Sequence, residues 1–314
     1  MSSLNTEKKP SESVLVVGLG QVCVDYVGRV PDYPPEDTKM ELEGLFTSCG
    51  GPAATAMAAL SRWGVPTSLL SGISDDSFGF LIAETLAKEG VDSSCLKTVP
   101  GYDSQFAFIA VTAEDGKRTI FWNRSTVPPP TPEEVRLGFF PNARILHLDG
   151  LMLPAAKAAA AQARATGVTV VMDAGTFREG TLDLVSLVDV LIASETFADP
   201  MMGEKTPQEQ ALQRLSELGP RQVVITLGAR GSIGLHNGKV VRQPAFSVVS
   251  KDTTGAGDVY HGGYIYGLLN GWNMPACMAF ASSAAALKCR NGGGWRGIPT
   301  LHAIQNLMKF KAIS

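Results

Sequence analysis

Residues 252 to 258 read DTTGAGD, a stretch that places hydroxyl groups and small residues between two acids. A helix that begins with small residues, at about Asp258, leaves backbone N–H groups unpaired and carries the positive end of the helix dipole, so it can bind a phosphate. An acid beside that phosphate makes chemical sense if it accepts a proton from a hydroxyl group that attacks the phosphorus. The alternative is that Asp258 only caps its helix, where acids are favoured. The stretch alone leaves both interpretations open.

Short apolar runs closed by Gly, Ser or Asp indicate strands that are buried on both faces. Helical stretches lie between them, and one of these begins at Pro154 and ends at Gly167. This alternation predicts an α/β fold with a mostly parallel central sheet and helices on both faces, whose active site lies at the carboxyl ends of the strands. The runs that predict strands are 13–20, 67–74, 143–150, 168–175, 189–194 and 221–228.

Other local signals predict further elements. Capping boxes at 131–134 and 206–209 predict two more helix starts, and the run FSVVS at 246–250 predicts a strand before Asp252. Asn237-Gly238 predicts a hairpin at the far edge of the main sheet. His261 is interpreted as structural, whereas Asp149 and Asp173, which end strands on the active face, are expected either to bind substrate or to cap a helix.

Two segments break the alternation of strand and helix. Residues 23–49 are rich in Pro and polar residues, and residues 102–126 hold two strand-like arms around the turn at 114–117. Neither suits a central parallel strand. We therefore predict that both form a small β-sheet lid over the strand ends.

Composition excludes several classes of function. The net charge of -3 and pI near 5.9 give no general reason to expect nucleic acid or an anionic membrane as partner, and no run is apolar for the length of a membrane helix. The 5 cysteines are scattered without a CxxC pair, which favours a reducing cytoplasm over a disulfide framework. The 4 histidines show no HExxH pattern, so we expect no protein-held catalytic metal.

Three motifs resemble those of the ribokinase-like, or PfkB, carbohydrate kinases. Residues 252–258 resemble the family signature, residues 50–56 (GGPAATA) its di-glycine signature, and residues 226–231 (TLGARG) its nucleotide-site loop. They agree with the family in order and spacing from about residue 14 to residue 310. On this resemblance we expect a kinase domain at 13–314, with lid segments at about 23–49 and 102–126, after a disordered tail at 1–12.

The resemblance implies which residues act on the substrate. Asp258 is expected to be the general base, and the N–H groups of Gly255, Ala256 and Gly257 are expected to form an anion hole for the transferred phosphoryl group. The expected sugar contacts are Asp25, Gly50, Gly51 and Thr55.

The resemblance also implies the nucleotide side of the site. Expected ATP contacts are Thr226, Gly228, Gly231, Ser194 and Glu195, and Mg²⁺ is expected to arrive with ATP. Asp252 and Thr254 resemble one side of a site for a monovalent cation such as K⁺. Members of the family also imply a homodimer formed through the lid.

Two positions depart from the family pattern. Thr55 stands where the di-glycine motif usually ends in Asn, and a hydroxyl replaces an amide there. Residues 194–197 (SETF) replace an Asn-x-x-Glu motif that helps to organise Mg²⁺, so Glu195 is expected to take over that work. Both departures are similar to the branch that contains sulfofructose kinase, which implies a ketose or a sugar acid as substrate.

Basic residues in the lid segments suggest that the substrate is anionic. Lys39 and Arg124 are expected to bind a phosphate, sulfonate or carboxylate group under the lid, although a solvated surface role is the alternative. We expect a nucleotide-side or structural role for the basic residues 288, 290 and 296. Two alternative functions stay open: a nucleoside kinase that uses the aromatic residues 106, 108 and 122, and a sugar- or nucleotide-binding regulator with little turnover.

Overall fold

Two β-sheets organise the chain in the computed structural model, which describes residues 11–114, 116–202 and 208–313. Residues 1–10 of the tail predicted at 1–12, the hairpin residue Asp115 and the start of the second capping box at 206–207 lie outside these ranges. The strands are β1 (Val16–Leu19), β2 (Cys23–Val30), β3 (Glu43–Gly50), β4 (Thr67–Ile73), β5 (Leu96–Thr98), β6 (Phe106–Thr112), β7 (Arg118–Asn123), β8 (Ile145–Leu148), β9 (Thr169–Ala174), β10 (Val190–Ser194), β11 (Gln222–Thr226), β12 (Ser232–His236) and β13 (Lys239–Gln243).

Helices follow most strands of the larger sheet, as the alternating pattern predicts. None of the helices in the described ranges has the length and apolar character that crossing a membrane requires. The helices are α1 (Pro52–Arg62), α2 (Ser77–Lys88), α3 (Leu153–Thr166), α4 (Thr181–Val185), α5 (Glu195–Met202), α6 (Gln208–Glu217), α7 (Ala256–Leu269), α8 (Met274–Asn291) and α9 (Leu301–Ile313).

The larger sheet has 9 strands in the order β13-β12-β11-β10-β9-β8-β1-β4-β5. The pairs from β5 to β11 are parallel, whereas β11-β12 and β12-β13 are antiparallel. The fold class predicted from the sequence is confirmed, including the hairpin at the far edge. The carboxyl ends of the parallel strands therefore meet along one edge.

Alternate residues of the central strands build the two halves of the core. Val16 and Ile192 belong to the cluster that contains α1, α7 and α8, whereas their neighbours Val17 and Leu191 belong to the cluster that contains α3 and α6. The period of two follows from the strand geometry. Burial on both faces explains why these strands read as continuous apolar runs.

The smaller sheet has 4 strands in the order β3-β2-β6-β7 and contains the two segments that break the alternation. Its registers place Asp25 opposite Ser48 and Ala107, and Ala107 opposite Trp122. Directly opposite residues share one face of a sheet. We call the side with Asp25, Ala107 and Trp122 the cavity face and the other side the outer face.

Two local predictions were wrong. At 131–134 the capping contact forms, since Thr131 N donates to Glu134 Oε2 at 2.9 Å, but the chain makes only a turn and then a short 3-10 segment, Leu137–Phe139. Gly138 and Pro141 follow too closely for a helix to continue. Residues 246–250 form no strand, because the chain leaves the sheet after Gln243, where Pro244 has no N–H to continue a ladder. It then reaches the last turn of α8, where Lys251 N donates to Cys289 O.

Candidate active site

A cavity of about 740 Å³ lies between the carboxyl ends of the parallel strands and the cavity face of the small sheet. It is lined by residues from β1, β4, β8, β9, β10 and β11 or the loops after them, from the start of α7, and from the lid segments. The candidate residues from the sequence that line it are Asp25, Gly51, Trp122, Arg124, Asp149, Asp173, Ser194, Thr226, Thr254, Gly255, Gly257 and Asp258. The sequence prediction therefore converges on one place from distant parts of the chain.

Asp258 lies in the first turn of α7, and the small residues before it leave the helix end accessible. Gly255 is the N-cap residue, with a φ of 73° that L-amino acids with a side chain rarely adopt. A Cβ on Gly257 would meet nothing within 4 Å, so the backbone at this position faces open space. Ala256 does not line the cavity, and its N–H donates to Thr253 O. The helix end is thus accessible to an anion at Gly255 and Gly257.

Burial is the main cause of the raised pKa of Asp258, which is about 6. The charge of Asp173 is the next cause, while His261, Arg118 and Lys288 oppose the rise. Burial also raises the pKa of Asp173 to about 8, with Asp149 as the second cause. Because Asp173 keeps its proton to a higher pH than Asp258, we assign the rise at Asp258 to burial. A base with a pKa near 6 is ionised at neutral pH and still accepts a proton readily.

Asp149 and Asp173 end adjacent strands but differ in their contacts. The carboxylate of Asp149 accepts hydrogen bonds from the backbone N–H groups of Gln21 at 2.6 Å and Leu151 at 3.1 Å, so it connects two loops. Asp173 lies 3.5 Å from Nδ1 of His261. His261 Nδ1 is also 2.6 Å from Gly257 O and therefore donates to that carbonyl group. His261 thus holds the first turn of α7 in place.

On the sugar side of the cavity, the carboxylate of Asp25 is packed against Gly50. A Cβ at Gly50 would approach Asp25 Oδ2 to 2.0 Å, so only glycine allows this contact. Burial raises the pKa of Asp25 to about 6, opposed by the Cys23 thiol, which donates to Oδ1 at 3.3 Å. Gly50 itself does not line the cavity, whereas Gly51 does. The glycine pair therefore lets the carboxylate lie against the backbone.

Thr55 does not line the cavity. Its side chain is buried in α1, and Oγ1 accepts a hydrogen bond from the indole Nε1 of Trp295 at 2.9 Å. The Thr that stands here in place of Asn is thus hydrogen-bonded to an indole from the segment after α8. The structure gives Thr55 a packing contact, and its Cγ2 lies 3.6 Å from the position that a Cβ on Gly255 would take.

The nucleotide-side residues divide into two groups. Ser194 and Thr226 line the cavity at the ends of β10 and β11. A 3-10 turn outside the cavity begins at Gly228 and is followed by Gly231, and Glu195 also lies outside. The carboxylate of Glu195 is paired with Arg230 from this turn. Glu195 therefore tethers the predicted nucleotide loop to α5.

The lid segments bring arginines to the cavity. In β7, the alternate residues Arg118, Ile120 and Trp122 line it, and the guanidinium of Arg124 lies 5.0 Å from the centre of the Trp122 ring. Arg118 Nη1 also donates to Thr253 Oγ1 at 2.8 Å, which connects the lid to the DTTGAGD stretch. Lys39 is exposed and does not line the cavity.

The sequence analysis missed Arg118 and Arg178, both of which line the cavity. The period of two along the lid strand places Arg118 on the same face as Trp122 and could have identified it. Nothing in the sequence distinguishes Arg178 from a surface residue. Within the described ranges there is no cluster of His, Cys, Asp and Glu side chains able to hold a metal ion.

Asp252 and Thr254 hold one another through the Thr254 N–H, which donates to Asp252 Oδ1 at 2.8 Å. Asp252 Oδ2 and Thr254 Oγ1 are buried and make no hydrogen bond to any described residue. Such oxygen atoms suit a hard cation. However, the buried side chain of Lys288 lies beside the same loop and can itself supply a positive charge. The residues present therefore do not fit a bound monovalent cation there.

This arrangement suits deprotonation of a hydroxyl group beside a bound phosphate. The ionised base lies at the same helix end that offers N–H groups to an anion, and the lid covers both. A shielded site of this kind strengthens electrostatic interactions with the reacting groups.

Comparisons with known proteins agree with this chemistry. The model of the pfkB family carbohydrate kinases matches residues 13–301. The ribokinase of Haemophilus influenzae is 28% identical over 292 residues, covering 90% of this chain and 94% of that protein. The 5-dehydro-2-deoxygluconokinase of Shouchella clausii is 26% identical over 315 residues, covering 94% of this chain and 95% of that protein. The crystal structure of a putative ribokinase from Agrobacterium tumefaciens superposes with a TM-score of 0.87 at 26% identity, over 96% of this chain and 99% of that one.

Proposed function

We propose that the chain, which belongs to the pfkB family of carbohydrate kinases and is an ATP-dependent sugar kinase, phosphorylates a primary hydroxyl group of a ketose or a sugar acid. The observation that carries this proposal is the meeting of Asp258, the open start of α7 and Asp25 in one cavity beneath the lid sheet. In this proposal residues 13–314 are the kinase domain, and the segments 23–49 and 102–126 act as its lid.

Asp258 has the role of general base in this proposal. Asp25 and the backbone at Gly51 hold sugar hydroxyl groups, and Asp258 accepts the proton of the attacking hydroxyl. The N–H groups at Gly255 and Gly257 stabilise the negative charge on the transferred group, which is where most of the catalysis in such reactions arises. Ala256 has no part in this step, because its N–H already donates to Thr253 O. Closure of the lid excludes the water that would otherwise hydrolyse ATP.

The arginines of the cavity support an anionic substrate. Arg124 and Arg118 come from the lid, and Arg178 comes from the loop after β9. Guanidinium groups bind carboxylates, sulfonates and phosphates through paired charge-assisted hydrogen bonds. The similarity to a 5-dehydro-2-deoxygluconokinase, and the expected similarity to the sulfofructose kinase branch, favour a sugar that carries such a group. Lys39 has no part in this proposal, because it lies outside the cavity.

ATP occupies the side of the cavity formed by Ser194 and Thr226 in this proposal, next to the loop at Gly228 and Gly231. Mg²⁺ arrives with the nucleotide and neutralises its phosphates. Glu195 acts through its ion pair with Arg230, which fixes the loop. We do not include K⁺, because a buried lysine already brings positive charge to Asp252 and Thr254.

A homodimer through the lid is part of the proposal. On the outer face of the small sheet, Leu45 is 55% exposed and Phe121 is 50% exposed, and apolar side chains in one exposed sheet face favour pairing with another protein surface. Substitution of both residues by Asp should convert a dimer to a monomer in sedimentation velocity. A monomeric wild type would contradict this part. The cysteines, all described and all unpaired, support the expected cytoplasmic location.

The experiment that tests the function is ATP-dependent product formation, read by mass, against neutral sugars, ketoses, sugar acids and nucleosides. Asp258→Asn should retain ATP binding and lose about 10²- to 10⁴-fold in turnover, as expected on removal of a general base. Asp199→Asn is the matched control, since it makes the same change at an exposed position. Near-normal turnover in Asp258→Asn would rule out this base.

One observation favours a second candidate, a nucleoside kinase. Ile120 and Trp122 line the cavity from the lid, and an aromatic ring with an aliphatic neighbour suits a nucleobase. Phe106 and Phe108 are not cavity residues. If adenosine outcompetes ketoses and sugar acids for phosphorylation, the nucleoside kinase is correct. If ATP binds and no compound is phosphorylated, the regulator is favoured.

A further inference from the structure

The last turns of α8 contain a lysine whose charge is shielded from water. Lys288 is 1% exposed, and its Nζ makes no hydrogen bond to any residue that the structure describes. A buried charge without a partner is costly, so a side chain in this state is retained at a site for a reason other than packing alone. The neighbouring Arg290, in contrast, is exposed.

The side chain of Lys288 extends toward the loop that precedes α7. Its Cε lies 3.8 Å from the position that a Cβ on Gly255 would take. The backbone of the same helix turn is tied to this loop, because Lys251 N donates to Cys289 O at 2.9 Å. Lys288 is therefore fixed beneath the helix end to which we assign phosphoryl binding.

Buried oxygen atoms without a hydrogen-bond partner belong to this loop or lie just before it. Asp252 Oδ2, Thr254 Oγ1 and Ser250 Oγ are buried and have no hydrogen-bond partner among the described residues. Burial lowers the pKa of Lys288, but the charges of Asp252 and Asp258 oppose that effect. No ion pair joins Lys288 directly to either carboxylate among the described contacts, so the groups interact across a short gap. Water molecules that bridge this gap would satisfy both sides.

We propose that Lys288 is a built-in cation for the loop at 252–257, which takes the place of a bound monovalent cation and keeps the N–H groups of Gly255 and Gly257 aimed at the phosphoryl group. Lys288 is thus a positioning residue, and the proposal rests on the kinase function proposed above. A further consequence is that the enzyme does not need K⁺, because a second cation beside Asp252 would be repelled by the ammonium group.

The test measures phosphorylation directly by mass, in buffer whose only monovalent cation is tetramethylammonium and then with added KCl or NH₄Cl. The wild type should turn over equally in all three, within about twofold. Lys288→Met keeps the apolar stem and removes the charge, and it should lose at least about tenfold in kcat/KM without K⁺, the scale of one strong charged interaction. K⁺ or NH₄⁺ should restore part of the loss by occupying the oxygen atoms of Asp252 and Thr254. Arg290→Met, the same change at an exposed position of the same helix, should match the wild type.

Either of two results would overturn the proposal. A wild type that K⁺ activates several-fold would show a separate cation site. A folded Lys288→Met that equals the wild type without K⁺ would show that Lys288 only packs. If Lys288→Met does not fold, the double variant with Asp252→Asn removes both charges and takes its place; recovery of folding would confirm that the two charges are coupled.

Failure of the kinase function is distinguishable in the same experiment. If the wild type phosphorylates nothing, the function is wrong, and stabilisation of Tm by ATP and Mg²⁺ then replaces turnover as the readout. That shift should be independent of K⁺ in the wild type and dependent on K⁺ in Lys288→Met. A shift independent of K⁺ in both proteins would overturn the role of Lys288.

Discussion

Asp173→Asn should change the pH dependence of stability strongly. Burial raises the pKa of Asp173 from its usual 3.8 to about 8, so the folded protein keeps a proton that the unfolded chain has released. Stability from this group is complete below the unfolded pKa and is lost as pH rises through the folded pKa. Between about pH 5 and pH 8 that loss is about 1.4 kcal/mol per pH unit, roughly 4 kcal/mol in total.

The assay is urea unfolding of wild type and Asp173→Asn at several pH values across this interval. Asn has the shape of the protonated acid and does not titrate, so the difference between the two proteins should grow with pH in favour of the variant. Asp199→Asn, at an exposed position, should give a curve parallel to that of the wild type. Parallel curves for Asp173→Asn as well would refute the reasoning, because they would mean that Asp173 is ionised in the folded protein as readily as in the unfolded chain.

Three further predictions concern activity and packing. Because Asp258 acts as a base only when it is ionised and has a pKa of about 6, kcat/KM should fall tenfold per unit below that pH, and a profile flat down to pH 5 would contradict it. Arg118→Ala removes a hydrogen bond between lid and loop, so sugar phosphorylation should fall about tenfold or more while ADP release per product rises, measured as the ratio of ADP to sugar phosphate. Trp295→Phe leaves the buried hydroxyl of Thr55 unpaired and should cost about 1–3 kcal/mol of stability, measured by urea unfolding. An altered KM for the sugar with unchanged stability would instead indicate that Thr55 contacts the substrate.

The sequence predicts the sheet and the general place of the site because both depend on local patterns. The strands buried on both faces form unbroken apolar runs, and their carboxyl ends must meet at one edge once the sheet is parallel. The capping box at Thr131 shows the limit of local rules: its hydrogen bond forms, but Gly138 and Pro141 prevent a helix. Residues 246–250 have the composition of a strand, but the chain leaves the sheet at Pro244 and they pair with no strand, which composition does not reveal.

Side-chain roles within the site were harder to predict, because they depend on contacts between distant segments. Thr55 looks like a substrate residue in its motif, yet its hydroxyl is bound to Trp295, 240 positions along the chain. Arg118 looks like any surface arginine of a hairpin, yet it reaches Thr253, 135 positions away. Such contacts form only when the lid and the last helices pack on the main sheet.

Protonation states show the same dependence on tertiary structure, and they decide the chemistry of the cavity. Asp173 and Asp258 are identical in type and both face the cavity, but with pKa values of about 8 and about 6 the first is mostly protonated and the second mostly ionised at neutral pH. A second negative charge beside the base would repel the phosphates of ATP, and burial of Asp173 avoids it. Lys288 acts in the same direction from beneath the loop. At the start of α7 the cavity therefore presents an ionised base beside a protonated Asp173, an arrangement that suits transfer of a phosphoryl group to a hydroxyl.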